Sequence, residues 1–346
     1  VLAVRQRVLG RTHPDTLKSL NGLGKLYELQ GRYDEASRLF EELIQTQRKV
    51  LGDEHRGTLT NMMNLALVYQ HRRQFDDAEN LYDEVLDTLQ RILGSDDPLT
   101  ISAMYNRASL DVVQGKYDQA EVKLLEVLEI RRRLLGCDHP DTILGMRALG
   151  ALYREQRQWQ QAERYLADAL EAMARVLGDD HPETLKVMHA LGLVYWNRRK
   201  FDLSIPLYQR LVDLRSRRFG DAHAETQSAR ANLAVNYQDA GRDEDALPLL
   251  EASVRDESLV DEGYKSMLRP RLAQVYEALQ MYDKATSLHL ENVARCRQQH
   301  GDKHGLTGRA FYLLGQNLLA QDRCAEAEPV LRESLAIRQQ LFPSTW

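Results

Sequence analysis

Residues Leu134 to Gln160 read LLGCDHPDTILGMRALGALYREQRQWQ and hold one complete punctuation unit. A Leu-Gly stop is followed by an HPDT start, an amphipathic stretch, and a break before the next apolar run. Near-copies recur along the chain. Gly10, Gly52, Gly94, Gly136, Gly178 and Gly220 are each 42 residues apart. A small residue keeps the same step at Gly24, Ala66, Ala108, Gly150, Gly192 and Ala234, and continues to Ala273 and Gly315 once three residues are removed. A second small position follows at Ala36, Ala78, Ala120, Ala162, Ser204, Ala246, Ala285 and Ala327. Self-similarity at a fixed period is the signature of a stacked repeat. Apolar residues at helical spacing make each half-repeat a helix. The chain therefore reads as an all-α solenoid of about eight antiparallel helix pairs.

The first repeat shows the physics. His13-Pro14-Asp15-Thr16 starts a helix with Pro near its first position, where a missing N–H costs nothing and φ is already set. Asp15 adds negative charge at the positive end of the helix dipole. Leu17, Leu20, Leu23 and Tyr27 then share one face, and Gly24 sits among them where a side chain would hold the partner helix away. Gly31 supplies the left-handed residue that ends the helix. The second helix turns Ala36, Leu39, Phe40 and Leu43 back onto the first and runs to Leu51-Gly52.

Residues 1–10 read as the tail of a preceding second helix, and 11–260 as six regular repeats. Residues 261–342 are two further repeats after a shortened linker, and 343–346 start a truncated next one. Neither end carries the polar cap that an isolated solenoid needs, which is the expectation for a segment of a longer parent. The seventh repeat follows the short linker Ser258 to Met267, lacks the HPDT start and has Pro270 inside its first helix. An irregular helix or a change in stacking is expected there.

Composition narrows the partners. Apolar residues make 43% of the 346 and charged residues 28%, which suits one buried stripe per helix. The 46 basic and 51 acidic residues interleave to a net charge of -5, without the basic footprint that nucleic acid demands. Cys137, Cys296 and Cys324 show no metal spacing and suit a reducing compartment. No apolar run approaches the roughly 18 residues of a membrane span, and no signal peptide is visible. The expectation is a cytoplasmic protein with no membrane contact.

The spacing Leu20, Leu23-Gly24, Tyr27, Ala36, Phe40 resembles the tetratricopeptide (TPR) signature. The 42-residue period with its LG-x-x-HPDT loop is similar to the kinesin-light-chain subclass, whose helices are longer than those of the 34-residue form. Stretches such as HPDTL and AEPVLRESLAIRQQ look similar to arrays in bacterial multidomain proteins, some with Ser/Thr kinase domains. The resemblance spans the whole chain. It implies a right-handed superhelix whose first helices line a concave groove that binds peptides or protein segments.

Chemistry is scarce by inspection. His13, His55, His139, His181, His223 and His304 share one loop slot, but each loop offers a single histidine, so capping is expected rather than metal. His300 and His304 are four apart, yet Gly301 interrupts them and no HExxH follows. No phosphate loop, nucleophile elbow or CxxC pair is present, and no cofactor is expected. The acidic pairs Asp76-Asp77 and Asp179-Asp180 read as helix-start charges. Tyr27, Tyr69, Tyr153, Tyr195, Tyr237 and Tyr276 fall at one slot and read as interhelical packing rather than a base-stacking platform. Arg131-Arg132-Arg133 and Arg217-Arg218 lie near the ends of second helices and are expected to face solvent. In the third repeat Arg107 and Asp111 replace the usual Leu and Tyr, four apart, and read as a compensated internal ion pair.

The resemblance also assigns groove positions, three before the small residue and one and four after it. Mapped here, the middle repeats offer Tyr105, Arg147, Arg154, His189, Trp196 and Gln238, with Lys186 one turn before His189 and Asn232 flanking. A basic strip interleaved with aromatics suits an extended segment carrying acids and a large apolar side chain. The carboxylate clamp of co-chaperone TPR domains is not matched, since the first repeats give Asn21/Lys25, Asn64 and Ser102/Asn106. The expected function is a non-catalytic protein-interaction scaffold. The competing readings are a regulatory or substrate-recruiting segment of a larger enzyme such as a Ser/Thr kinase, and a self-assembling spacer. The sequence leaves the oligomeric state open.

Overall fold

The structure is a computed structural model that describes residues 2–255 and 262–341, with the side chains of 262–267 left aside. Every described element is a helix. The chain divides into two compact units, Val1–Val176 and Leu177–Trp346.

The first unit opens with α1 (Leu2–Leu9) and continues as four helix pairs. Their first helices are α2 (Pro14–Leu29), α4 (Arg56–His71), α6 (Pro98–Val113) and α8 (Pro140–Glu155). Their second helices are α3 (Tyr33–Leu51), α5 (Phe75–Leu93), α7 (Tyr117–Leu135) and α9 (Trp159–Leu177). The second unit pairs α10 (Pro182–Asn197) with α11 (Phe201–Phe219), and α12 (Ala224–Asp239) with α13 (Asp243–Arg255). It continues with α14 (Glu262–Ala278) and α15 (Tyr282–His300), then α16 (Gly305–Ala320) and α17 (Cys324–Leu341). The solenoid expectation holds.

A shared start fixes seven of the eight pairs. The ring Nδ1 of His139 accepts a hydrogen bond from the Asp141 N–H at 3.2 Å, as His13, His55, His181, His223 and His304 do at their own helices. In α6 the cap is Asp97, accepting from the Leu99 N–H at 2.8 Å. An N-cap acceptor satisfies one orphan donor of the first turn. The threonine three residues after the cap is fully buried in seven repeats. In four of them, Thr58, Thr184, Thr226 and Thr307, its hydroxyl donates to the carbonyl of the preceding turn glycine at 2.8–2.9 Å. That glycine has φ +92° and ψ 167° at Gly52, a region that side-chain-bearing residues avoid.

The small residue of the first helix sets how near the pair can pack. A Cβ built on Gly150 would lie 2.6 Å from Leu166 Cγ, and one on Gly192 2.7 Å from the Tyr208 ring. First helices end in a left-handed residue, at Gly31 and Gly115 but also at Arg73, Arg157 and Arg199. Three of the six tyrosines tie successive pairs together through a glutamate. Tyr69 donates to Glu41 at 3.1 Å, Tyr153 to Glu121 at 2.8 Å and Tyr276 to Glu251 at 2.7 Å, each from a first helix back to the preceding second helix.

The short linker before the seventh repeat differs from expectation. Residues 258–261 lie outside the described residues, as do 343–346, but Glu262–Met267 already belong to α14. That helix runs on through Pro270 without a break.

The close approach makes a sharp demand. Gly150→Val should lose about 3 kcal/mol of stability, because two methyl groups meet a fully packed Leu166. Chemical denaturation of the variant beside the parent measures it.

Candidate functional site

The described residues hold no group of three His, Cys, Asp or Glu placed to take a metal ion. No described helix is long and apolar enough to cross a membrane. The rings of His300 and His304 stack at 4.9 Å, one ending α15 and the other capping α16.

In the first unit, Tyr105, Arg147 and Arg154 are half-buried on α6 and α8. Burial pushes the Tyr105 phenol up, against the pull of Arg147 and Arg131. Arg154 donates to its neighbour Glu155 at 3.0 Å. In the second unit, Lys186 is exposed and pairs with Glu183 one turn earlier at 2.7 Å. Asn232 is buried, donates to the Ser228 carbonyl at 2.9 Å and meets His189 Nε2 at 3.2 Å. Trp196 donates its indole N–H to Asp239 at 2.7 Å. Asp239 accepts in turn from Arg271 at 2.9 Å, and Arg271 donates to the Gln238 side chain at 2.8 Å. The structure thus joins His189 to Asn232, and Trp196 to Gln238 through Asp239 and Arg271. Asp239 and Arg271 were missed in the sequence, because each bond spans neighbouring repeats and no local spacing marks it.

Arg107 and Asp111 do meet, and they are not alone. Both are buried, at 5% and 0% exposure. Arg107 donates to Asp111, to Glu79 of α5, and to Asp83 of α5 at 2.8 Å. Lys123 of α7 closes on Asp111 at 2.5 Å and Lys116 on Glu79 at 2.9 Å. Three cations balance three carboxylates across three helices. The Lys116 hydrogen bond, with Arg107 nearby, holds the Glu79 carboxyl below the usual range.

Two sequence expectations need correction. Asp179 and Asp180 lie in the loop before α10 rather than in its first turn, where they pair with Arg210 and Arg218. Within Arg131-Arg132-Arg133 only Arg133 is exposed, paired with Asp96 at 2.5 Å. Arg131 is buried because it continues the apolar stripe Leu124, Val127, Leu128 at helical spacing. It donates to the Asp141 carbonyl at 2.9 Å, and its guanidinium lies 4.9 Å from the Tyr105 ring centre.

Comparison with known proteins fits this geometry. The family model described as tetratricopeptide repeat matches residues 1–49, 29–90, 57–121, 101–174, 146–202, 190–255 and 266–340. The chain belongs to the tetratricopeptide-repeat family. Among solved structures it is similar to a TPR-like repeat protein of Podosopora anserina named for kinesin light chain. Identity is 25%, covering 60% of this chain and 98% of that one, with TM-score 0.52. It is also similar to BtubC (BKLC) from P. vanneervenii, 23% identical over 66% of this chain and 91% of that one, with TM-score 0.58. A Signal Transduction ATPase with Numerous Domains protein with a TPR sensor, from Pyrococcus horikoshii, shares the fold at 15% identity. It covers 95% of this chain and 48% of that one, with TM-score 0.63. No curated protein matches the sequence.

Two measurements test this electrostatic reading. Arg107→Leu alone should cost about 3–5 kcal/mol, since it leaves Asp111 buried beside a single lysine. Adding Asp111→Tyr, which restores the usual residues of the repeat, should recover much of that loss on denaturation. At the alkaline end, burial and then Glu41 or Glu251 push the Tyr69 and Tyr276 phenols up to about 12. The folded state favours their neutral forms. That stabilisation is complete below the ordinary value of 10 and lost as pH rises through about 12. Phenolate absorbance across an alkaline titration of the folded chain should show these two ionising after the exposed tyrosines.

Proposed function

We propose that the chain is a non-catalytic scaffold that binds an extended protein segment along its first-helix faces. TPR-repeat proteins are generally scaffolds of this kind. One observation carries the reading for this chain. The frame slots repeat from pair to pair, whereas the face slot four after the small residue holds Glu28, Gln70, Val112, Arg154, Trp196 and Gln238. A slot that varies inside a constant frame is free of the packing constraint, and all six of these side chains are half-buried rather than sealed.

The partner's chemistry follows from the charges. Arg154 and Lys186 hold exposed intramolecular carboxylates, Glu155 and Glu183. Such exposed pairs are worth about 0–1 kcal/mol, so an incoming Asp or Glu exchanges for them at little cost. Trp196 supplies the large flat surface that anchors an interface, already held in one orientation by Asp239. An acidic side chain fits Arg154 in the first unit, and a segment bearing an acid and one large apolar side chain fits Lys186 and Trp196 in the second.

The test treats each compact unit separately. One variant replaces Tyr105, Arg147 and Arg154 with alanine, and the other replaces His189 and Trp196. Capture of partner protein from the native source should fall at least tenfold in one or both, with helix content unchanged, if each lost anchor is worth about 2 kcal/mol. Undiminished capture by both variants would sink the assignment to the first-helix faces.

A further inference from the structure

The position five residues before the turn glycine holds Arg5, Gln47, Leu89, Arg131, Met173 and Arg215. Where it is polar, it reaches across to the start of the next first helix. Arg5 donates to the Asp15 carbonyl at 3.2 Å and to Ser19 Oγ at 2.6 Å. Gln47 accepts from Asn61 Nδ2 at 2.8 Å. Arg215 donates to the Glu225 carbonyl at 2.8 Å and pairs with the Glu225 carboxylate at 3.4 Å. Each has a side-chain partner on the helix it faces.

Arg131 does not. It keeps the carbonyl bond, to Asp141, and the contact with the Tyr105 ring. Among the described residues no carboxylate lies within ion-pair distance of it. Two substitutions at equivalent slots account for this. Asp141 stands where Glu225 stands, one methylene shorter, and its carboxylate lies 3.8 Å from His139 instead. Gly145 stands where Ser19 and Asn61 supply a polar side chain.

Packing does not require that glycine. A Cβ on Gly145 would sit 3.9 Å from Arg131 Nη1 and 3.4 Å from Leu128 Cδ1, which is ordinary contact. Gly145 lies inside a regular helix with no left-handed φ, where glycine is a poor choice on its own. Arg131 is 5% exposed, and none of its side-chain nitrogens is both sealed and without a partner, so those that make no bond keep an open edge. A buried cation with unmade hydrogen bonds is costly, and burial pulls this guanidinium down against the nearby Asp141 and Tyr105.

We propose that Arg131, left without a side-chain acceptor at Gly145 and flanked by the Tyr105 ring, is a carboxylate-binding subsite that receives an aspartate or glutamate side chain of the bound segment. A carboxylate matches the single charge and planar fork of one guanidinium. A phosphoryl group is tetrahedral and nearly doubly charged, and would leave charge unmatched there. The neighbouring Arg107 and Arg133 are already balanced by carboxylates of this chain. The assignment rests on the scaffold reading for its partner, but the subsite can be tested without one.

Arginine Nε–Hε resonances of the whole chain provide the readout, with Arg131 assigned by its loss in Arg131→Lys. N-acetyl-glutamate N-methylamide should move the Arg131 resonance saturably. The glutamine analogue should not, and inorganic phosphate should bind more weakly. Gly145→Ser offers Arg131 the oxygen that Ser19 offers Arg5. It should shift the resonance before any addition and weaken the glutamate probe about tenfold, the worth of one charge-assisted hydrogen bond. Gly145→Ala should leave probe affinity within about threefold, because it adds bulk without an acceptor. No saturable response, equal affinity in Gly145→Ser, an equal loss in Gly145→Ala, or tighter phosphate binding would each overturn the subsite. If it falls while capture still depends on the first-helix faces, the scaffold reading stands without it.

Discussion

One contact sets the spacing of every helix pair: a small residue of the first helix against a large side chain of the second. Phe40 meets Gly24, Leu166 meets Gly150 and Tyr208 meets Gly192, each at a distance that leaves no room for a Cβ. A single pair cannot bury its apolar face by itself, so it is stable only with neighbours on either side. The close approach has to be the same in each pair, or the next would not fit the surface the last presents. That requirement holds the two small slots to Gly, Ala and Ser along the whole chain.

The connection between pairs is constrained as tightly, by hydrogen bonds rather than volume. The second helix must stop, turn and restart within the four residues between Leu51 and Arg56. Gly52 takes a backbone conformation closed to other residues, its carbonyl is met by Thr58, and His55 caps the new helix. Asp97 caps α6 with a carboxylate instead of an imidazole, which shows that the slot selects an acceptor and not a histidine. The row of loop histidines is therefore a consequence of helix termini.

These constraints are why the fold is legible in the sequence and the site only partly so. A contact that recurs in every pair leaves a periodic trace, and the period gives the helices, their order and their partners. The Arg107–Asp111 pair was legible for the same reason, as a departure from the trace, but Glu79, Asp83, Lys116 and Lys123 were not. They occupy surface slots where charge is ordinary, and only the fold shows them converging. Trp196 and His189 were placed on the right helix, while their bonds to Asp239 and Asn232 bridge residues 43 apart. Arg131 had a readable signal, its place three residues after Leu128 and four after Val127 on the buried stripe. The run of three arginines at a helix end concealed it.

The two buried arginines of the first unit separate what the frame requires from what it leaves open. Arg107 and Arg131 are equally buried, at 5% exposure, and lie on adjacent helices. The first is surrounded by three carboxylates, which is the expected outcome when a charge must be buried to keep a helix pair intact. The second has one carbonyl and one aromatic ring. The fold can give an arginine at that second position a side-chain partner, because Arg5 meets Ser19 and Arg215 meets Glu225 there. What is missing at Arg131 is two side chains that the backbone would accept. In a repeat array, then, the informative comparison is between the same slot in different repeats. Where one repeat lacks an acceptor that its sisters supply, the bond left unmade marks the place to test for a ligand.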